Sequence, residues 1–132
     1  MPLRMNIETV PHDKQRYETC GDYWEDESGV EQIRVSEMVD WRYEVLVALH
    51  EIVEMALTRQ RRIDEHAITE FDIKFEESKA RGLLAGEAGD NPNAPYRKEH
   101  FFATNLERLF AAELEVDWQE YERFVDALGS KK

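Results

Sequence analysis

Residues 40–62, DWRYEVLVALHEIVEMALTRQRR, decide the fold. Within them Leu46, Leu49, Val53, Ala56 and Leu57 recur at steps of three and four, the apolar stripe of a helix that packs against a partner layer. Asp40 is placed to cap the helix start, because its carboxylate can accept from an amide of the first turn. Arg59, Arg61 and Arg62 close the run, setting positive charge at the negative end of the helix dipole.

Upstream the period changes to two. Residues 5–10 (MNIETV), 16–26 (RYETCGDYWED) and 30–38 (VEQIRVSEM) read as strand-like pieces, with Asp26, Glu27, Ser28 and Gly29 as the turn between the last two. Ile33 and Val35 alternate with Arg34 and Ser36, as a sheet with one wet face requires. Downstream, residues 68–84 carry Ile68, Phe71 and Phe75 on one side, with Thr69 near the start, and predict an amphipathic helix lying on the surface. The stretch GEAGDNPNAP, residues 86–95, holds two of the chain's 4 prolines and predicts an irregular loop. Residues 96–118 return to helical spacing through Phe102, Leu106, Leu109 and Phe110, and Asp117 caps a last helix, WQEYERFVDAL, closed by Gly129. The expected fold is a single α+β domain over residues 1–132. A small N-terminal antiparallel sheet or hairpin precedes the long helix, and two or three further helices close the core.

With 132 residues, 42% of them hydrophobic and 35% charged, the chain has material for one core and the charge to cover it. Seventeen Lys and Arg against 29 Asp and Glu give a net charge of −12, which repels phosphate backbones and anionic lipid. Nucleic acid and membrane surfaces are therefore poor partners; a peptide or a basic protein suits the charge. No window has the length and apolarity of a membrane span, and the start, MPLRMNIETVPHDK, lacks the apolar core of a signal peptide, so the expected location is the cytoplasm. Cys20 is the only cysteine, so a disulfide or a cysteine-rich zinc site cannot be written, and any metal must be held by His and carboxylate.

The chemistry-bearing motif is His50-Glu51-Ile52-Val53-Glu54, in the middle of the long helix. Residues four apart lie one turn above each other, so His50 and Glu54 point the same way and can share one ion, with Glu51 about 100° round the helix. The pattern is that of H-E-x-x-H zinc peptidases, where two side chains at i and i+4 hold the metal and the intervening Glu activates its water. Glutamate is abundant here, so the spacing alone is a weak signal. Its setting adds weight, because a His and a Glu placed beside Leu46, Val53 and Leu57 cost several kcal/mol unless a metal or a hydrogen-bonded partner compensates them. His100, opening the helix after the loop, is the candidate third ligand, leaving a tetrahedral position for water. Glu107 shares the His100 face and is a candidate either for orienting an imidazole or for the fourth ligand. Elsewhere, His12 and His66 read as solvated, Asp72 and Glu76 as the wet side of their helix, the three Trp as packing, and Cys20 as unreactive.

The order IRVSE, then DWRYEVLVALHEIVEMAL, then GDNPNAPYRKEHFFA and finally VDW resembles a group of small uncharacterised proteins of tailed phages and prophages, over most of the chain. Those proteins are similar in outline to minimal zincins, metallopeptidase-like domains in which a short sheet is followed by the metal-binding helix. The resemblance implies zinc held by His50, Glu54 and His100, with Glu51 as the catalytic base. This chain departs from zincins proper at Glu54, where they carry a second His. The function so implied is a zinc-dependent, peptidase-like hydrolase working in the host cytoplasm, with residues 90–96 forming one wall of its cleft. Two other classes stay open. One is a non-catalytic acidic binding module, such as a phage accessory or anti-defence protein, with a structural metal or none. The other is a helical oligomer that uses the His50 face as its interface.

Overall fold

Asp26 builds the hairpin turn: its Oδ1 accepts from the amides of Ser28 (2.9 Å) and Val30 (3.0 Å), while Gly29 takes the left-handed φ of +80°. The turn joins β2 (Gly21–Glu25) to β3 (Glu31–Ser36), which pair antiparallel from Gly21↔Val35 to Glu25↔Glu31. The computed structural model describes residues 2–129. In it β1 (Met5–Val10) lies on the other side of β3 and pairs with it in parallel, from Met5↔Glu31 to Val10↔Ser36. The sheet, ordered β1-β3-β2, is thus mixed, and the antiparallel expectation holds for the hairpin alone. Strand alternation carries no direction. The clue was the spacing, since residues 11–30 provide the long connection that a parallel neighbour needs.

The helices follow as α1 (Trp41–Gln60), α2 (Glu65–Ala80), α3 (Arg97–Glu113) and α4 (Trp118–Gly129), with a short 3-10 turn at Ala88–Asp90. Asp40 caps α1 by accepting from Arg42 N at 2.9 Å, as its carboxylate predicted. Asp64 caps α2, accepting from His66 N at 3.1 Å, and so the helix begins and ends earlier than the expected residues 68–84. Asp117 accepts from Glu120 N at 3.0 Å at the start of α4.

Ile33 and Val35, each 1% exposed, turn the sheet's buried face toward α1. Val35, Leu46, Val47, Ala111, Val116 and Tyr121 form the main core, where β3, α1, α3 and α4 meet. Leu46 is fully buried, and removing a side chain of that size from water stabilises the fold by about 1.5–3 kcal/mol. Two smaller clusters flank it, Tyr23 with Ile33 and Met55, and Ile68 with Ala94 and Tyr96.

The inward faces of α1 and α3 are not the ones that periodicity selects. On α1 the buried residues are Leu46, Val47, His50, Glu54, Met55 and Thr58, while Ala56 is exposed and Leu49, Val53 and Leu57 are half-buried. On α3 they are Glu99, His100, Ala103, Glu107 and Ala111, while Phe102, Leu109 and Phe110 are 49%, 67% and 37% exposed. Both inversions have one cause. Ala103 and Ala111 of α3 let α1 come close, and His50, Glu54, His100 and Glu107 satisfy one another between the helices, so polar residues line the contact beside Leu46 and Val47. Among the described residues no helix is long and apolar enough to cross a membrane.

Candidate metal centre

His50 and Glu54 stand one turn apart on α1, and His100 faces them from the first turn of α3. His50 Nε2 lies 2.6 Å from Glu54 Oε2 and 3.1 Å from His100 Nδ1, and His100 Nδ1 lies 2.6 Å from the same Glu54 oxygen. All three residues are buried, at 7%, 3% and 5% exposure. Tetrahedral zinc with bonds of about 2.0–2.2 Å sets its ligand atoms roughly 3.4 Å apart, so these atoms need to spread by less than about an ångström to take an ion. The cluster can hold a metal ion.

Its supports fit the same reading. His50 Nδ1 donates to Glu107 Oε1 at 2.7 Å, and the other Glu107 oxygen accepts from the Tyr121 hydroxyl. That chain fixes the imidazole plane and leaves Nε2 for the cluster, the arrangement that a metal-bound His requires. Glu107 is therefore the partner of His50, not of His100, and its bonded oxygen sits on the far side of the ring from Glu54. His100 directs Nδ1 inward, and its Nε2, which has no hydrogen-bond partner, lies 3.5 Å from Asp90 Oδ1 and 3.7 Å from Glu87 Oε1. Gly89 packs flat on this ring, since a Cβ there would overlap the imidazole.

The electrostatics are tightly linked. Burial opposes charge on His100, but the hydrogen bond to Glu54 and the nearby Glu87 carboxylate outweigh it and raise its pKa to about 10. His50 is likewise disfavoured as a cation by burial, yet Glu54 and Glu107 lift it well above its ordinary value. Burial also disfavours the Glu54 carboxylate, but the two imidazoles pull it down to about 2. Two protons on the imidazoles and one divalent cation carry the same charge, so either filling neutralises the buried carboxylates.

Glu51 lies about 100° round α1, half-buried, with its Oε1 2.6 Å from where a Cβ of Gly21 would stand. Only a glycine in β2 leaves room for it. Its carboxyl makes no hydrogen bond among the described residues, and burial, then the Glu54 charge, raises its pKa well above the ordinary range. His50, Glu51, Glu54 and His100 line one cavity of about 200 Å³. The expected loop wall begins earlier than residue 90, because Glu87, Ala88 and Gly89 also line it.

Asp72 was expected on the wet side of its helix and is instead part of the cavity lining. It accepts from the Tyr17 hydroxyl at 2.9 Å and the Tyr96 hydroxyl at 2.6 Å, and burial raises its pKa to about 7. The signal was available, since Asp72 stands four residues after Ile68 and three before Phe75, on their face. Tyr17, Tyr96 and Tyr121 carried no spacing signal. His66 is exposed as expected, but His12 is half-buried, its Nδ1 2.8 Å from Ser36 Oγ and its Nε2 2.5 Å from Glu18. This Ser-His-Glu chain is a tie and not a nucleophile, because Ser36 is fully buried. Burial pushes the Cys20 thiol up, in keeping with an unreactive cysteine. No protein family, curated protein or solved structure matches the chain.

Proposed function

We propose that the protein is a zinc-dependent hydrolase of peptide-type bonds, with His50, Glu54 and His100 as the metal ligands and Glu51 as the general base. The reading is carried by one observation: three buried ligand atoms from two helices converge at a cavity wall, one of them on an imidazole already held by a carboxylate. The resemblance to zincin-like phage and prophage proteins points the same way and suggests the peptide substrate and a host-cytoplasmic setting. Held by His50, Glu54 and His100, zinc would supply a Lewis acid at the cavity wall. Glu51, at the cavity wall beside the cluster, would take a proton from water as the water oxygen adds to the carbonyl carbon and hand it to the amine as the C–N bond breaks. Glu107 and Tyr121 hold His50 in one tautomer through the cycle, and burial of the cluster keeps bulk water from competing.

Metal analysis of untagged protein is the direct test. About one zinc per chain, lost in both His50→Ala and His100→Ala, supports the ligand assignment, and undiminished metal in both variants overturns it. Glu51→Gln separates the chemistry from the metal. Hydrolysis of a casein or peptide pool should vanish while zinc remains, whereas a non-catalytic binding module shows zinc and no hydrolysis in either protein.

A further inference from the structure

The cavity next to the metal cluster is acidic beyond what the cluster uses. Among the described residues eleven carboxylate side chains line it, and Lys79 is the one lysine or arginine there. Arg16 answers Asp22 through bonds of 2.7 and 2.9 Å, and the imidazoles answer Glu54 and Glu107. A dication in the cluster replaces the imidazole protons and adds no charge, so beyond the reach of His100 the Asp72, Glu76, Glu122 and Asp126 side chains share a lining in which Lys79 is the one lysine or arginine among the described residues. Phosphate or carboxylate groups entering such a cavity meet repulsion in a partly dry space, where charges interact strongly.

Asp72 is the organised part of this wall. Each of its oxygens accepts one tyrosine hydroxyl, which fixes the carboxylate and leaves a lone pair on each oxygen. No cationic side chain bonds it. Tyr17 and Tyr96 line the same cavity, so the carboxylate stands between two aromatic side chains. The Tyr23 hydroxyl, on a side chain 7% exposed in the same lining, has no hydrogen-bond partner among the described residues. The volume of about 200 Å³ is worth roughly seven waters at about 30 Å³ each, enough for one long side chain. Its rim is open, since the Glu87 and Asp90 side chains are 51% and 63% exposed.

We propose that this cavity receives a positively charged organic group, an ammonium or a guanidinium, with Asp72 as its counter-charge. The inference builds on the hydrolase reading and names its substrate class: a basic residue beside the scissile bond, or a small amine. Burial raises the Asp72 pKa, and an entering ammonium would favour its ionised form.

The test is calorimetric binding to the full chain near neutral pH, using Ac-Ala-Lys-Ala-NH2, the same peptide with norleucine or glutamate in place of lysine, and free cadaverine. The lysyl peptide should bind at least about tenfold more tightly than the norleucyl one, with the glutamyl peptide weakest and the preference shrinking in about 0.5 M salt. Asp72→Asn should remove most of that preference, while Asp13→Asn, an exposed acid outside the cavity lining, should leave it intact. Cadaverine binding as tightly as the lysyl peptide assigns a free amine; peptide preference assigns a basic peptide. Equal binding of lysyl, norleucyl and glutamyl peptides, or no binding of any of them by zinc-loaded protein, overturns the proposal even if Asp72→Asn fails to fold. Cation binding without hydrolysis removes the hydrolase reading and leaves this one standing, and hydrolysis indifferent to lysine does the reverse.

Discussion

His50 Nδ1 lies 2.7 Å from Glu107 Oε1, a contact that spans two helices and fixes which nitrogen of His50 faces Glu54. The bond keeps a proton on Nδ1 when Nε2 gives up its own to an ion, and makes the ring a better donor to that ion. Glu107→Gln keeps an acceptor but loses the charge, so zinc affinity should fall by about tenfold or more with the fold retained. Competition against a chromophoric chelator reads this directly. Unchanged affinity in the variant would show that Glu107 holds the helices together and does nothing for the ligand.

Gly89 makes a steric prediction. A methyl group there overlaps the His100 ring, whereas at Gly86, with φ +84°, the space is open. Gly89→Ala should therefore displace His100 and lower bound zinc severalfold. Gly86→Ala should cost about 1–2 kcal/mol of stability through its left-handed backbone and leave zinc alone. Metal content and thermal unfolding, measured on both, separate the two effects. If Gly89→Ala binds zinc as the parent does, His100 is not a ligand in the position described.

How far the sequence reached can be judged from particular residues. His50 and Glu54 were legible because helical spacing is strict, and Asp26 and Gly29 because turn chemistry is local. The inward faces of α1 and α3 were not, since apolar residues occur round much of both helices, and the true contact is built from polar groups that satisfy one another only once the helices meet. The direction of β1 and the partnership of His50 with Glu107 depend on long-range docking that no local pattern encodes. Asp72 was misread for a different reason: its polarity was weighed above its place on the Ile68–Phe75 face.

The Asp72 pKa of about 7, against an ordinary 3.8, fixes a sign. Between those values the folded protein holds a proton that the unfolded chain has released, so stability falls as pH rises from about 4 to 7. The loss is on the order of 2 kcal/mol after allowance for water in the cavity. Asp72→Asn should flatten that slope and be more stable than the parent at pH about 8, as urea unfolding at two pH values will show. A variant with the parent's slope would mean that the carboxylate titrates normally.

The three ligands predict a linked pH and metal response. The Glu54 pKa, lowered from 4.5 to about 2, contributes stability that is present above 4.5 and lost as pH falls toward 2. The His100 pKa, raised from 6.5 to about 10, contributes stability that is full below 6.5 and lost as pH rises toward 10, and His50 acts in the same direction. Metal-free protein should thus be destabilised progressively between about pH 6.5 and 10. Zinc binds neutral imidazoles, so loading at pH about 7 must expel the protons of both His50 and His100. Titration of zinc into metal-free protein in buffers of different ionisation enthalpy should report the His100 proton released per ion at pH about 7, with His50 adding to it, and only about half of the His100 proton near pH 10. Zinc should correspondingly restore most stability at the alkaline end, where the ligands need less deprotonation. Release of no protons at neutral pH, with zinc bound, would place the ion somewhere other than between these two imidazoles.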